Sequence, residues 1–420
     1  MSLTSDLARL REELAARVGP MVASPAVRAA LRDVPRHLFV PSVTPAEAYR
    51  DEAIVTKRDP AGMPISSSSQ PAIMAIMLDQ LALAPGLRVL EIGAGTGYNA
   101  ALISHIIGPP GQVTSIDIDP EVVREAAWHL AEAGYPEVTV VAADGADGFA
   151  EHAPYDRLIA TVGVSDLAPA WLSQLAGDAV IVVPLDVGGV QLSVAFEQAG
   201  DDDDGDDDGN RGNRGEDGGH WISRSVAPCG FMRMRGAMAD SGLAVPLGPG
   251  LRLLLAADRM LDAPALATAL AGSPTAVEPT GVSAGPPEVF WGLNLWLAAS
   301  EPRAGELDEE LVPGIRAPRL ASPPVYSRSF QATYGIVSDA GGVAVLASPP
   351  DAGLEARGYG PDAAALAVEL AGQVRAWDAA GRPGTEGLHI DAYPRAGGSP
   401  PDTADVIVER PGTRFVLYRA

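Results

Sequence analysis

The stretch VLEIGAGTGYNAAL, residues 89–102, decides the fold. An apolar run enters an acid, Glu91, after which Gly93, Gly95 and Gly97 alternate with Ala94 and Thr96, and a segment of small and apolar residues starts at Tyr98. The pattern predicts a strand, a tight turn and a helix. Glycine at alternate positions admits backbone dihedrals that a Cβ forbids, and it lets a flat ligand lie against the main chain.

The order ExGxGxG differs from the GxGxxG fingerprint of a dinucleotide phosphate loop. A carboxylate at the strand end attracts a cation and repels a pyrophosphate. S-adenosyl-L-methionine carries an ammonium and a sulfonium and no phosphate, so Glu91 with Gly93, Gly95 and Gly97 is the expected cradle for it. Twenty residues beyond Gly97, Asp117 ends the next strand, the spacing at which an acid accepts hydrogen bonds from ribose hydroxyls. Asp144, in AADG after a third strand, is placed to receive the exocyclic amine of adenine. Thr96, Ile118 and Gly145 sit in the same three turns and complete the candidate cofactor set.

Working outward, apolar runs at 87–93, 113–118, 138–142, 157–162 and 179–184 alternate with helical material. Such alternation predicts a parallel sheet covered on both faces, a doubly wound, Rossmann-like α/β domain. Before it, residues 3–18 and 25–34 read as helices, and Pro71 opens another through AIMAIMLDQLAL. After it, 190–198 and 220–226 read as neighbouring strands. The acidic run between them, 199–219, is then a hairpin insertion, expected to be disordered because it has nothing apolar to bury. This places a methyltransferase-type domain at 1–238 and a C-terminal α+β accessory domain at 239–420. In the latter, 290–300 and 361–380 look helical, and Trp291 and Trp296 read as core.

The 420 residues carry a formal charge of −24, part of it in 201–219, where nine acids meet Arg211 and Arg214. An acidic surface gives no means of neutralising phosphates, which argues against nucleic acid and against an anionic membrane. The single cysteine, Cys229, excludes an intrachain disulfide or a CxxC site, and no apolar run spans a bilayer, so a cytoplasmic protein is expected. The histidines and the cysteine have no metal-ligand spacing.

Several motifs together resemble the protein-L-isoaspartate (D-aspartate) O-methyltransferases: PRHLFVP at 35–41, AYRDEAI at 48–54, SQPAIMAIML at 69–78, the glycine turn itself, ADG at 143–145 and APYDRLIATVG at 153–163. The resemblance covers about half the chain. It implies that Ser69 orients the acceptor carboxylate, while a helix N-cap is the competing role for that residue. A carboxylate is ionised at neutral pH, so its methylation needs alignment and exclusion of water and no general base. His37 is accordingly read as structural. Departures from the family pattern are the serines before Ser69, Asn99 where glutamine is commoner, and the long C-terminal region. The chain is further identified with actinobacterial members associated with modification of ribosomal peptides (lanthipeptides, lasso peptides, graspetides), which implies a peptide partner, in a macrocycle, carried through succinimide to isoaspartate. General repair of isoaspartyl proteins, a small-molecule acceptor and a non-catalytic scaffold are the alternatives; the sequence does not fix an oligomeric state.

Overall fold

The computed structural model describes residues 3–60, 62, 64–199, 219–239, 244–255, 260–310, 320, 323–326, 330–350, 352–395 and 406–419. The expected disorder of the acidic insertion falls on 200–218, outside the described residues. The chain begins with α1 (Leu3–Val18), α2 (Pro25–Asp33) and the short α3 (Pro45–Ala48), then the hairpin β1 (Ile54–Arg58) and β2 (Pro64–Ser68), then α4 (Pro71–Gln80). The alternating unit follows: β3 (Arg88–Ile92), α5 (Tyr98–Ile107), β4 (Gln112–Asp117), α6 (Pro120–Ala133), β5 (Thr139–Ala142), β6 (Tyr155–Ala160), α7 (Pro169–Ser173) and β7 (Leu175–Val187). Strands β8 (Val190–Gln198) and β9 (Trp221–Pro228) pair antiparallel across the acidic insertion.

Strands β3 to β7 are parallel, and β3 is hydrogen-bonded to β4 on one side and β6 on the other. Chain direction across the sheet reverses between β3 and β6, which opens a crevice at their carboxyl ends. Successive side chains point to opposite faces, so Val89 packs in the core with Leu31, Met77 and Leu102 while Leu90 packs in the core with Trp171 and Leu297. Burial on both faces explains why these strands read as unbroken apolar runs. The Rossmann-like α/β class is as the sequence predicts.

The domain boundary is different. Past β9 the chain forms β10 (Ala244–Pro246), β11 (Leu251–Leu255), α8 (Ala263–Leu270), β12 (Ala276–Pro279), α9 (Pro286–Glu288), a π-helical turn over Val289–Leu293 and α10 (Asn294–Ser300). It continues through β13 (Ala304–Glu310), β14 (Val325–Tyr326), β15 (Phe330–Val337), β16 (Val343–Ala347), β17 (Glu355–Tyr359) and α11 (Ala363–Ala379). These strands make a second, antiparallel sheet in the order β10-β11-β13-β15-β16-β17-β12, with β14 on β15. The final strands, β18 (Leu388–Pro394), β19 (Val406–Glu409) and β20 (Thr413–Arg419), leave it and extend the first sheet beyond β9, giving ten strands in the order β19-β20-β18-β9-β8-β7-β6-β3-β4-β5. Ala392 pairs with Trp221, and the Ile390 N–H donates to Ser223 Oγ at 2.8 Å. The expected accessory domain at 239–420 is therefore an inserted sheet whose last strands belong to the catalytic one. One continuous core runs from Leu90 through Leu297, Leu370 and Trp377 to Tyr334 and is shared by the two sheets, while the inserted sheet has a further core of its own around Leu253, Leu266 and Val343.

Candidate functional site

The crevice at the ends of β3, β4 and β6 is a cavity of about 480 Å³. Its floor is the glycine turn: Gly93, Gly95 and Gly97 have φ of 98°, 50° and 86°, which side chains avoid. Each glycine also has a close neighbour. A Cβ on Gly95 would lie 3.1 Å from the Ser67 carbonyl, and one on Gly93 2.8 Å from Thr161 Oγ1. A Cβ on Gly97 would meet Ala126 O and Leu130 at 3.1 Å, on α6. Gly93, Gly95 and Thr96 line the cavity; Gly97 does not, and its part is to let α5 and α6 pack closely.

Asp117 lines the cavity. Its Oδ2 accepts from the Gly95 N–H at 3.3 Å and its Oδ1 from the Asp119 N–H at 3.1 Å. Burial raises its pKa, and Arg235 Nη2 stands 4.0 Å from Oδ1. Ile118 and Gly145 also lie on the wall. Two expectations are corrected. Glu91 is fully buried behind the turn and does not reach the cavity: its Oε1 accepts from Asn99 Nδ2 at 2.7 Å and its Oε2 from Ser115 Oγ at 2.5 Å. Burial pushes its pKa up to about 7, and the two donors pull it down. It therefore fastens α5 and β4 to β3, and the unusual Asn99 is its partner. Asp144 is turned toward the 235–237 loop, with Oδ1 accepting from the Ala146 N–H at 2.9 Å and Oδ2 from the Ala237 N–H at 2.8 Å, and is absent from the wall.

Ser69 also lines the cavity. It is not the cap of α4: Gln70 occupies that position, without a side-chain bond. The helix start is held from outside by Asp51, whose Oδ1 accepts from the Ala72 N–H at 2.8 Å and whose Oδ2 accepts from Gln70 Nε2 at 3.0 Å. Arg36, fully buried in PRHLFVP, donates from Nη2 to the Ser69 carbonyl and from Nε to the Ala48 carbonyl, both at 2.9 Å, with its guanidinium 4.9 Å from the Tyr98 ring centroid. His37 hydrogen-bonds Tyr49 Oη through Nδ1 at 2.7 Å and is off the wall, in keeping with a structural part.

Sequence reasoning missed Arg36, Asp51, the roof and Trp291. The roof is the CGFMRMRG segment, held by a ladder in which the Gly163 N–H donates to Met232 O and the Met234 N–H to Gly163 O, each at 2.8 Å. Arg233 on it pairs with Asp186 at 2.7 Å. Trp291 and Trp296 are both partly buried and pack against the core as expected; Trp291 in addition lines the cavity wall, and Trp296 donates to Gln373 Oε1. The pair Arg-x-Arg at 233–235 was the signal available in the sequence.

The donor set fits S-adenosyl-L-methionine. The half-buried carboxylate of Asp117 and glycine main chain line the wall, and Gly95 leaves room that a Cβ would occupy. Ser68 Oγ, Tyr98 Oη and Asn99 Oδ1, on residues of the same wall, are buried without a hydrogen-bond partner. Such atoms call for a polar ligand or water.

The family model for protein-L-isoaspartate(D-aspartate) O-methyltransferase matches residues 10–208. A protein-L-isoaspartate O-methyltransferase of Methanococcoides burtonii is 40% identical over 156 residues, 37% of this chain and 74% of the relative. The chain belongs to the protein-L-isoaspartate O-methyltransferase family. A second relative, protein-L-isoaspartate O-methyltransferase 2 of Archaeoglobus fulgidus, is 39% identical over 176 residues, 42% of this chain and 78% of its own. A solved protein-L-isoaspartate O-methyltransferase superposes with a TM-score of 0.48 at 22% identity, covering 91% of this chain and 96% of that one. As a family member the chain is a methyltransferase with S-adenosyl-L-methionine as methyl donor. No helix among the described residues is long and apolar enough to cross a membrane.

Proposed function

We propose that the chain transfers a methyl group to the carboxylate of an isoaspartyl or aspartyl residue in a peptide or protein, in the cytoplasm, with Ser69 orienting the acceptor. The position of Ser69 carries this reading: it lies on the cavity wall, is not required as a helix cap, and its main chain is pinned by buried Arg36. Gly93, Gly95, Thr96, Asp117 and Ile118 would hold the cofactor, Asp117 through the ribose hydroxyls. When bound, S-adenosyl-L-methionine supplies an electrophilic methyl on a sulfonium. An ionised carboxylate has no proton to lose, so the protein has to align it and keep water out. A neutral hydroxyl suits that task, since a cation at the nucleophilic oxygen would lower its reactivity. The methyl ester has a better leaving group than the acid, and the following backbone amide closes the succinimide without further catalysis. Incubation with an isoaspartyl peptide should give a methylated peptide that then loses methanol. Methyl transfer confined to small molecules would refute the reading.

Repair of isoaspartyl proteins is the reading the relatives favour. A finer one, a designated aspartate in a ribosomally made and macrocyclised peptide, draws on Trp291, by which the inserted region reaches the cavity. Side-by-side rates on a generic isoaspartyl peptide and on the cyclised product of an adjacent precursor gene separate the two. Equal turnover of both would favour repair.

A further inference from the structure

Among the described residues, Trp291 is the sole part of the cavity wall that comes from beyond Arg235. Its position follows from the turn that carries it. Residues Val289–Leu293 form a π-helical turn, closed by the Asn294 N–H donating to the Val289 carbonyl. Such turns insert one residue into a helix, re-aim the neighbouring side chains and occur often at functional sites. Here Val289, Leu293, Leu295 and Leu297 are buried, whereas Trp291 stays partly open on the cavity. Gly292 seats the turn against α11, where a Cβ would lie 3.1 Å from the Trp377 ring. The Phe290 ring meets Trp291 edge-on with centroids 4.4 Å apart. The indole is thus mounted on a rigid support.

The strand order says which end of the cavity it serves. Asp117 ends β4, while α10, continuous with the π-turn, packs on β7 and β8. From β4 to β7 the sheet runs through β3 and β6, three steps of about 4.8 Å. Trp291 therefore reaches the cavity from the side away from the ribose acid. Val162, on the same wall, packs against the same core as Trp291.

We propose that Trp291 is a specificity-determining residue, packing against an apolar or aromatic side chain adjacent to the acceptor aspartyl or isoaspartyl residue of a peptide. This rests on the carboxyl-transfer reading for the identity of the acceptor. The inserted sheet is then part of the acceptor site, and an aromatic face supplies large contact area at low entropic cost.

The test uses the full chain with S-adenosylhomocysteine bound and short peptides in which the acceptor is followed by Leu, Phe, Gly or Lys. Calorimetry gives peptide Kd for wild type, Trp291→Ala and Trp291→Phe, and methyl release is followed separately. Wild type should bind the Leu and Phe peptides at least tenfold more tightly than the Gly and Lys ones. Trp291→Ala should lose that preference, Trp291→Phe should keep most of it, and S-adenosylhomocysteine affinity should be the same in all three. A preference retained in Trp291→Ala, or a uniform loss across the four peptides, overturns the assignment. A fall in S-adenosylhomocysteine affinity also overturns it, by placing Trp291 at the cofactor. Peptide discrimination without methyl release would leave Trp291 in its role and refute the carboxyl-transfer reading alone.

Discussion

Glu91→Gln should stabilise the protein in a pH-dependent way. The buried carboxyl titrates near 7 in the folded state, against an ordinary value of 4.5. Between those values the folded state holds a proton that the unfolded chain releases. The stability contributed by this group is therefore complete below about pH 4.5 and is lost as pH rises through 7. Each tenfold change in proton affinity is worth about 1.4 kcal/mol, so the ionised group costs on the order of 3 kcal/mol at pH 8 and less than about 1 kcal/mol at pH 5. The amide keeps an acceptor for Asn99 Nδ2 and offers its NH₂ to Ser115 Oγ, whose hydroxyl rotates to accept. Urea unfolding of wild type and variant at pH 5 and pH 8 measures the difference. The expected result is a gain at pH 8 of up to about 3 kcal/mol that mostly disappears at pH 5. An equal change at both pH values would refute the reasoning, since an uncharged packing effect has no pH dependence.

Asp117→Ala should weaken S-adenosyl-L-methionine binding by on the order of 2 to 4 kcal/mol, one to two hydrogen bonds to a charged acceptor, as read by calorimetry; unchanged affinity would remove the ribose assignment. Ser69→Ala should lower turnover in single-turnover assays with the melting temperature held, because Ser69 does not cap α4. Asp51→Ala removes the external cap of that helix and should cost about 1 kcal/mol in thermal or urea unfolding, together with some turnover through displacement of Ser69.

The glycine turn and Asp117 were legible because backbone requirements and a strand-end acid leave a local pattern. So were β8, named to its end residues, and α1. Glu91 was misplaced because sequence gives the residue at a strand end and not the face it turns to; Asn99, eight residues on, and Ser115, on the neighbouring strand, took up its oxygens. Asp144 was drawn off by main-chain donors at Ala146 and Ala237, the second of them 93 residues away. That β18 to β20 join the first sheet was not legible, because a period-two pattern does not say which sheet a strand joins. Trp291 on a helix looked like any buried aromatic, and only the π-turn sets it apart.

The pairing of β18 with β9 has a consequence for how the protein is made. The catalytic sheet is built from two stretches of chain separated by the inserted sheet, and its far strands come from residues 388–419. During vectorial synthesis the glycine turn and β3 to β9 leave the ribosome first, with Trp221 and Phe196 waiting for Ala392 and Phe415 to cover them. The nascent half therefore presents a long open strand edge until translation is nearly complete, which favours chaperone engagement. A gene cut at residue 240 leaves that edge permanently bare, and its product is expected in inclusion bodies.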